Sequence, residues 1–155
     1  MDATDRPDVE KLEQTECWHL LEGHVLGRLA IVVDGHPDIF PVNYVVDNGS
    51  VVFRTAKGTK LLGALDNTPV ALEIDGYDSH TELAWSVVLR GAAREVRRPE
   101  ELTSANAASL EPWQGGLKDH VIRIITLNLS GRRFPVTQPD IWKTPLSDPR
   151  RASFE

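Results

Sequence analysis

Residues 50–62 read SVVFRTAKGTKLL, which predicts an apolar strand, a short basic turn and the start of a helix. Backbone N–H groups in the first turn of a helix lack intrahelical partners and carry partial positive charge. Thr55 and Thr59 add hydroxyl donors to these groups, and Lys57 and Lys60 add full positive charges. The stretch therefore predicts an anion site that suits a phosphate group. Such turns are also common on protein surfaces, so the rest of the chain must decide between the two interpretations.

The chain has the composition of one soluble globular domain, with 155 residues of which 41% are apolar and 26% charged. Its 17 Lys and Arg against 23 Asp and Glu give a net charge of −6, whereas nucleic-acid binders need a basic face. The single Cys17 excludes an internal disulfide and fits a reducing compartment. No apolar run approaches the roughly 20 residues of a membrane span, and the acidic start is unlike a signal peptide. We expect a cytoplasmic protein that binds neither nucleic acid nor a membrane.

Hydrophobic patterning predicts six strands, most of them joined by short turns. The predicted strands are Val25–Val33, Ile39–Val46, Ser50–Thr55, Val70–Asp75, Leu83–Val96 and His120–Leu129. Asp34-Gly35 and Asp47-Asn48-Gly49 are typical of hairpin turns. Helices are expected at Asp8–Glu22, at Lys60–Asp66 and from Pro99 onwards. A small antiparallel barrel with peripheral helices accounts for this pattern most simply.

Two positions inside the strands predict distortions of the sheet. Pro41 has no N–H to donate, so it marks either an edge or a bulge. Asn43 and Tyr44 follow it directly, which would display them on bent backbone where barrels often contact ligands, although a plain edge strand is equally consistent. Gly91 predicts a second bend of the kind that closing a barrel requires.

The end of the chain differs in composition from the rest. Pro135, Pro139, Pro145 and Pro149 follow the last predicted strand and its Gly-Arg-Arg-Phe sequence. Because proline disfavours both helix and sheet interiors, we expect a domain over residues 1–134 and an extended, Pro-rich tail over residues 135–155.

Six short motifs occur along the chain in a recognisable order. They are CWHLL at 17–21, VLGRLA at 25–30, PVNY at 41–44, VFRTAKGTKL at 52–61, WSVVLRG at 85–91 and GRRF at 131–134. With these motifs the chain resembles the flavin-binding split-barrel family, the pyridoxamine 5′-phosphate oxidase-like proteins, and its small actinobacterial members in particular. The resemblance spans roughly residues 9–134. It implies a six-stranded antiparallel Greek-key split β-barrel with peripheral helices, in a homodimer that holds FMN at each of two interface sites.

The resemblance also implies which residues contact the flavin. The implied residues are Pro41, Val42, Asn43 and Tyr44 along the isoalloxazine ring; Arg54, Thr55 and Ala56 along the rest of the flavin; Lys57, Thr59 and Lys60 at the phosphate; Trp85 and Ser86 from the partner subunit; and Arg132 and Arg133 as looser candidates. The phosphate position implied in this way coincides with the anion site that residues 50–62 predict on their own.

The implied activity is transfer of hydride or electrons, through FMN, between a reduced donor and a small aromatic, quinone-like or nitro substrate. True pyridoxamine phosphate oxidation is not expected, because the family's C-terminal Arg/His signature has no match after Phe134. Two alternatives stay open. One is an F420-dependent reductase of the same fold, for which a basic groove could come from Arg28, Arg54, Arg90, Arg94, Arg132 and Arg133. The other is a flavin-binding or storage protein without turnover.

No residue is assigned a catalytic role from the sequence. His24, His36, His80 and His120 are candidate proton donors, but no partner is fixed for any of them in the sequence. Asp75, Asp78 and His80 resemble a metal set, yet such an acidic turn is usually solvated, and neither HExxH nor GxSxG occurs. We expect no metal site.

Overall fold

The computed structural model describes residues 9–55, 68–104, 107 and 120–136. In order, its elements are β1 (Glu10–Lys11), α1 (Gln14–Glu22), β2 (Leu26–Val33), β3 (His36–Val46), β4 (Val51–Thr55), β5 (Pro69–Asp78), β6 (Leu83–Val96), a single 3₁₀ turn (Pro99–Glu101) and β7 (His120–Pro135). No helix in this part of the chain is long and apolar enough to cross a membrane.

The strands form one antiparallel sheet that closes on itself. Its order is β1-β7-β4-β3-β2-β5-β6, and β6 also pairs with β7, so that β2 to β7 make a six-stranded barrel. β2, β3 and β4 are consecutive neighbours while β5 returns to lie beside β2, which is the Greek-key arrangement. The predicted mainly β, six-stranded antiparallel barrel is therefore confirmed, with β1 as a short addition beside β7.

The predicted turn chemistry accounts for the first two hairpins. Asp34 and Gly35 have φ values of 51° and 78°, and Asn48 and Gly49 have φ values of 47° and 69°. Two successive residues with positive φ match the right-handed twist of the flanking strands, and Asp, Asn and Gly tolerate this conformation best.

The bend predicted at Gly91 is present as a shift in the β6–β7 register between Arg90 and Gly91. A Cβ atom at Gly91 would overlap the carbonyl oxygen of Ile125 on β7. Only glycine, which has no side chain, allows the backbones of β6 and β7 to approach this closely, and Gly91 therefore permits the barrel to close here.

The barrel interior is a continuous apolar core. Its largest fully buried side chains are Tyr44, Phe53, Leu21, Leu29, Leu72, Ile74, Leu89, Ile122, Ile124 and Val51. Helix α1 packs against this core through Cys17 and Leu21, both fully buried. Cys17 lies directly against Gly131 of β7, where an added Cβ atom would come within 2.7 Å of the Cys17 sulfur. A smaller cluster outside the sheet joins Val52 to Leu102.

Several element boundaries differ from the predictions. The first helix begins at Gln14 instead of Asp8, because Glu10 and Lys11 pair with Arg133 and Arg132 of β7 as a strand. β7 continues past Leu129 to Pro135, and β5 continues to Asp78, since both extensions remain paired with β6. The helix expected from Pro99 opens as a 3₁₀ turn. The expected helix at 60–66 and the tail beyond residue 136 lie outside the described residues.

Candidate functional site

β3 and β4 separate from each other part-way along their length. β3 pairs with β2 from His36 to Asn43, but within the described residues it pairs with β4 only at Tyr44–Val46. Among the described strands, the stretch of β3 before Tyr44 therefore has a neighbour on one side only. Pro41 lies in this stretch, which favours the first of the two alternatives that the sequence left open for it, an edge or a bulge.

The backbone of this one-sided stretch has a defined polarity. Tyr44 N–H donates to the carbonyl of Val25, on the β2 side, at 2.9 Å. Because backbone groups alternate along a strand, the odd-numbered residues direct their N–H and C=O groups to the opposite, open side. Ile39 N–H is occupied by the carboxylate of Asp38 at 2.9 Å, and Pro41 has no N–H. The open edge consequently offers more carbonyl acceptors than donors.

A pocket occupies the gap between the two strands. Its volume is about 530 Å³, within the range of roughly 300–1,000 Å³ usual for small-molecule sites. It is lined by Leu29, Phe40, Pro41, Val42, Asn43, Phe53, Arg54 and Thr55. The structure thus brings together five residues that the sequence predicted for the cofactor, from two separate motifs.

The lining combines an apolar wall with a few polar groups. Partly buried Phe40 and Val42 supply apolar surface against which a planar ring could pack, and the buried side chains of Leu29 and Phe53 lie behind them. Asn43, which is exposed, carries an amide that can both donate and accept. Further along, exposed Arg54 and buried Thr55 place a guanidinium and a hydroxyl at the end of β4. Such a pocket suits an aromatic ligand that carries a polar edge and an anionic group.

Tyr44 has a different role from its predicted neighbours. Its side chain is only 2% exposed, and its hydroxyl donates to the carbonyl of Leu21 at 2.7 Å. Burial raises the pKa of Tyr44 to about 12. The side chain fastens helix α1 to β3 from inside the core and does not line the pocket.

The predicted residues of β6 and β7 form a second group. Trp85 lies opposite Arg133, and Ser86 lies opposite Arg132, in the β6–β7 register. The centres of the Trp85 and His24 rings are 4.9 Å apart. The Trp85 indole also covers Gly76, where an added Cβ atom would come within 2.6 Å of it. None of these residues is among those that line the pocket described above, and the action of Trp85 and Ser86 on a partner subunit's site stays a prediction.

The two arginines of this group already have partners. Arg133 forms ion pairs with Glu16 at 2.6 Å and Glu10 at 3.4 Å, and the bond to Glu16 is the main reason that its pKa is raised. The Arg132 guanidinium lies 5.4 Å from the centre of the Phe134 ring. The role of Arg133 in the described structure is thus to hold helix α1 and β1 against β7.

The remaining predicted contacts, Ala56, Lys57, Thr59 and Lys60, lie outside the described residues. The phosphate site that they define stays a prediction. The sequence assigned Leu29, Phe40 and Phe53 to strands without a ligand role. Phe40 and Phe53 each directly precede a predicted contact, Pro41 and Arg54, and this adjacency is the signal that could have identified them.

A Greek-key barrel with a ligand-sized pocket where two strands separate places the protein among the split-barrel proteins. The family model for pyridoxamine 5′-phosphate oxidase matches residues 13–133. The chain therefore belongs to the pyridoxamine 5′-phosphate oxidase family, as the sequence motifs indicated.

Known relatives extend this assignment. The chain is 46% identical to an FAD binding protein from Mycobacterium smegmatis, with a TM-score of 0.68 over 81% of this chain and 99% of that one. It is 37% identical to a conserved protein of unknown function from Corynebacterium diphtheriae, with a TM-score of 0.66 over 82% and 98% of the two chains. An uncharacterized protein from Mycobacterium tuberculosis is 33% identical over 122 residues, which are 76% of this chain and 80% of that protein. The relatives of this chain thus include a flavin-binding protein.

Proposed function

We propose that this protein binds a flavin nucleotide in the pocket between β3 and β4 and uses it as an oxidoreductase. One observation carries the proposal: Pro41, Val42, Asn43, Arg54 and Thr55, drawn from two motifs expected to contact a flavin, line one pocket of suitable size. Membership of the family and the 46% identity to an FAD binding protein support it.

The residues present fit such a ligand. The isoalloxazine would pack against the apolar wall formed with Phe40 and Val42. Its polar edge would meet the Asn43 amide and the carbonyl groups on the open side of β3, which need donors. Arg54 and Thr55 would lie toward the ribityl phosphate, in line with the predicted phosphate site that begins two residues later.

A bound flavin supplies the hydride and electron chemistry, passing electrons from a reduced donor to a small aromatic, quinone-like or nitro substrate. The chain's own residues bind and orient the ring and exclude water from one of its faces through the apolar wall. Among the described residues that line the pocket only Arg54 is ionisable, and a guanidinium does not give up its proton in proteins. We therefore propose that the protein contributes position and electrostatics instead of proton transfer.

The sequence motifs imply FMN, whereas the relative at 46% identity is described as binding FAD. FMN and FAD share the isoalloxazine ring and the ribityl phosphate, so the lining residues serve either. We propose FMN as the minimal ligand and FAD as the alternative that the relative favours. F420 stays the further alternative within the same fold.

We also propose that two copies complete the site. On the outward face of β2 and β3, Leu26, Val32 and Ile39 are 58%, 54% and 65% exposed, and this face continues to pocket residue Pro41. An exposed apolar surface of this kind is typical of an interface. A second copy on it would cover the apolar residues and could bring its own Trp85 and Ser86 to the pocket, in a cytoplasmic homodimer.

The experiment is to purify the protein, record its absorbance and identify any flavin released on denaturation. The stripped protein is then titrated with FMN, FAD and F420. We expect yellow protein, and Asn43→Ala should weaken flavin binding at least tenfold, or about 1.4 kcal/mol. The matched control is Asn128→Ala, at an exposed position on β7. Failure to bind FMN and FAD would refute the proposal, and binding of F420 alone would select the F420 alternative. Bleaching of the bound flavin by a nicotinamide donor would distinguish an enzyme from a storage protein.

A further inference from the structure

A charged cluster lies at the end of the barrel where β6 ends and β7 begins. His120 Nδ1 is 2.6 Å from Glu95 Oε1, and the other carboxylate oxygen of Glu95 is 3.7 Å from Arg97 Nε. The side chains of His120 and Glu95 are 25% and 32% exposed, so this pair is partly shielded from solvent. The predicted and observed contacts of the flavin pocket do not include any of these residues.

The register of the sheet places this cluster next to the pocket. His120 on β7 lies directly opposite Thr55 on β4. Directly opposed residues of an antiparallel pair project from the same face with Cβ atoms about 4.5–5.5 Å apart. Thr55 lines the pocket at the end of β4, so the imidazole stands one strand away from the pocket at that end. In the sequence, Lys57 of the predicted phosphate site follows Thr55 by two residues.

The contact with Glu95 prepares the imidazole to bind an anion. A carboxylate at Nδ1 keeps a proton on that nitrogen and fixes the orientation of the ring. When both ring nitrogens carry a proton, Nε2, on the other side of the ring, can donate to an anionic oxygen. The largely exposed guanidinium of Arg97 partly offsets the negative charge of Glu95 and would reduce its repulsion of an anion.

We propose that His120, oriented by Glu95, donates from Nε2 to the phosphate of the bound flavin and so distinguishes phosphorylated flavins from riboflavin. The inference rests on the proposed function, because it names a further residue of the same site. It is independent of the apolar wall and of Asn43, which would contact the ring shared by FMN and riboflavin.

Two substitutions separate ligand binding from structure. His120→Asn keeps an amide near the position of Nδ1, able to donate to Glu95, but removes the atom at the position of Nε2. His120→Gln instead retains a neutral donor near Nε2. The control is His80→Gln, at an exposed turn position between β5 and β6. For each variant, FMN and riboflavin affinities and the thermal midpoint are measured.

We expect His120→Asn to weaken FMN binding about tenfold, or about 1.4 kcal/mol, with riboflavin affinity and thermal midpoint unchanged. His120→Gln should weaken FMN binding less than His120→Asn does, and His80→Gln should leave FMN affinity unchanged. Equal losses for FMN and riboflavin, or unchanged FMN affinity in His120→Asn, would overturn the inference and leave flavin binding standing.

A second readout does not require a flavin. Inorganic phosphate is titrated into the wild-type protein while the imidazole proton signal of His120 is followed by NMR, with chloride as the control anion. A saturable shift with phosphate alone supports the inference, and its absence overturns it. Wild-type protein that binds none of FMN, FAD and riboflavin refutes the proposed function instead, and the phosphate titration then decides the inference alone.

Discussion

Replacing Asp47 by asparagine should be among the most destabilising conservative changes in this chain. The Asp47 carboxylate is fully buried after β3 and faces donors on three sides. Oδ1 accepts from Thr103 Oγ1 at 2.8 Å and from Ser104 N at 2.6 Å, while Oδ2 accepts from Arg123 Nη2 at 2.8 Å. Asp47 therefore ties the second hairpin to β7 and to the segment after the 3₁₀ turn.

The magnitude follows from what an amide can and cannot replace. The one oxygen of the introduced amide could still accept from Thr103 and Ser104, but its NH₂ group would point a donor at the donor of Arg123. The Arg123 side chain is only 13% exposed, so it would lose its counter-charge without gaining full hydration. We expect a loss of about 3 kcal/mol, at the lower end of the roughly 3–5 kcal/mol typical of breaking a buried ion pair. For a domain of this size that corresponds to a fall in thermal midpoint of about 6–12 °C.

The assay is urea and thermal unfolding followed by tryptophan fluorescence, with all variants at one protein concentration because dimerisation would shift the midpoints. Asp34→Asn is the matched control, since Asp34 is exposed and asparagine tolerates its φ of 51°. A thermal midpoint of the Asp47→Asn variant within about 2 °C of the wild type would refute the reasoning.

The same carboxylate should make stability depend on pH. Burial acts to raise the pKa of Asp47, but the hydrogen bonds from Thr103, Arg123 and Ser104 outweigh it and hold the pKa well below its usual range. A group whose folded pKa is lowered stabilises the protein above its unfolded pKa, about 3.9 for Asp, and loses this contribution as the pH falls toward the folded value. The difference in unfolding free energy between the wild type and Asp47→Asn should accordingly narrow below about pH 4.

Two further changes test the packing of the barrel. Gly91→Ala should cost at least about 2 kcal/mol, because the added Cβ overlaps the Ile125 carbonyl and one of two paired backbones must move; an unchanged urea midpoint would contradict the close approach. Tyr44→Phe should lower the free energy of unfolding by about 1–2 kcal/mol, because it leaves the Leu21 carbonyl without its donor. The control Tyr77→Phe, at a half-exposed position, should leave it unchanged. Because burial raises the pKa of Tyr44 to about 12, the wild type should lose stability as the pH rises from about 10 to 12, and this loss should be absent in Tyr44→Phe when midpoints are measured across that range.

The parts of the fold that depend on local chemistry could be predicted from the sequence. The Asp34-Gly35 turn and the bend at Gly91 both follow from what a few adjacent residues allow the backbone to do. The same reasoning misplaced the ends of β5 and β7. The predicted strands ended at Asp75 and Leu129, before Gly76 and Gly131, whereas in the structure each glycine lies within a strand beside a side chain, Trp85 or Cys17, that only the fold brings near.

The parts of the site that depend on distant residues could not be predicted in this way. Asp47 was interpreted as a turn residue because Arg123 lies 76 positions further along the chain. The pair of His120 with Glu95 spans 25 positions and arises only because β6 and β7 are neighbours in the barrel. Sequence motifs identified which strands form the pocket, while the supporting contacts around it required the topology.

The gap between β3 and β4 explains why a proline is tolerated in the middle of a barrel strand. Tyr44 N–H points toward β2, so the alternating backbone turns the nitrogen of Pro41 toward the open side, where no described strand residue needs a donor. At a fully paired position the same proline would remove a ladder hydrogen bond and leave a carbonyl of the neighbouring strand unsatisfied. The carbonyl groups on this open side face no described strand, and a ligand with N–H groups along one edge can donate to them while its ring packs against Phe40 and Val42. The one-sided pairing of β3 thus has two consequences: it tolerates a proline at position 41, and it leaves the same edge of the strand open to the proposed ligand.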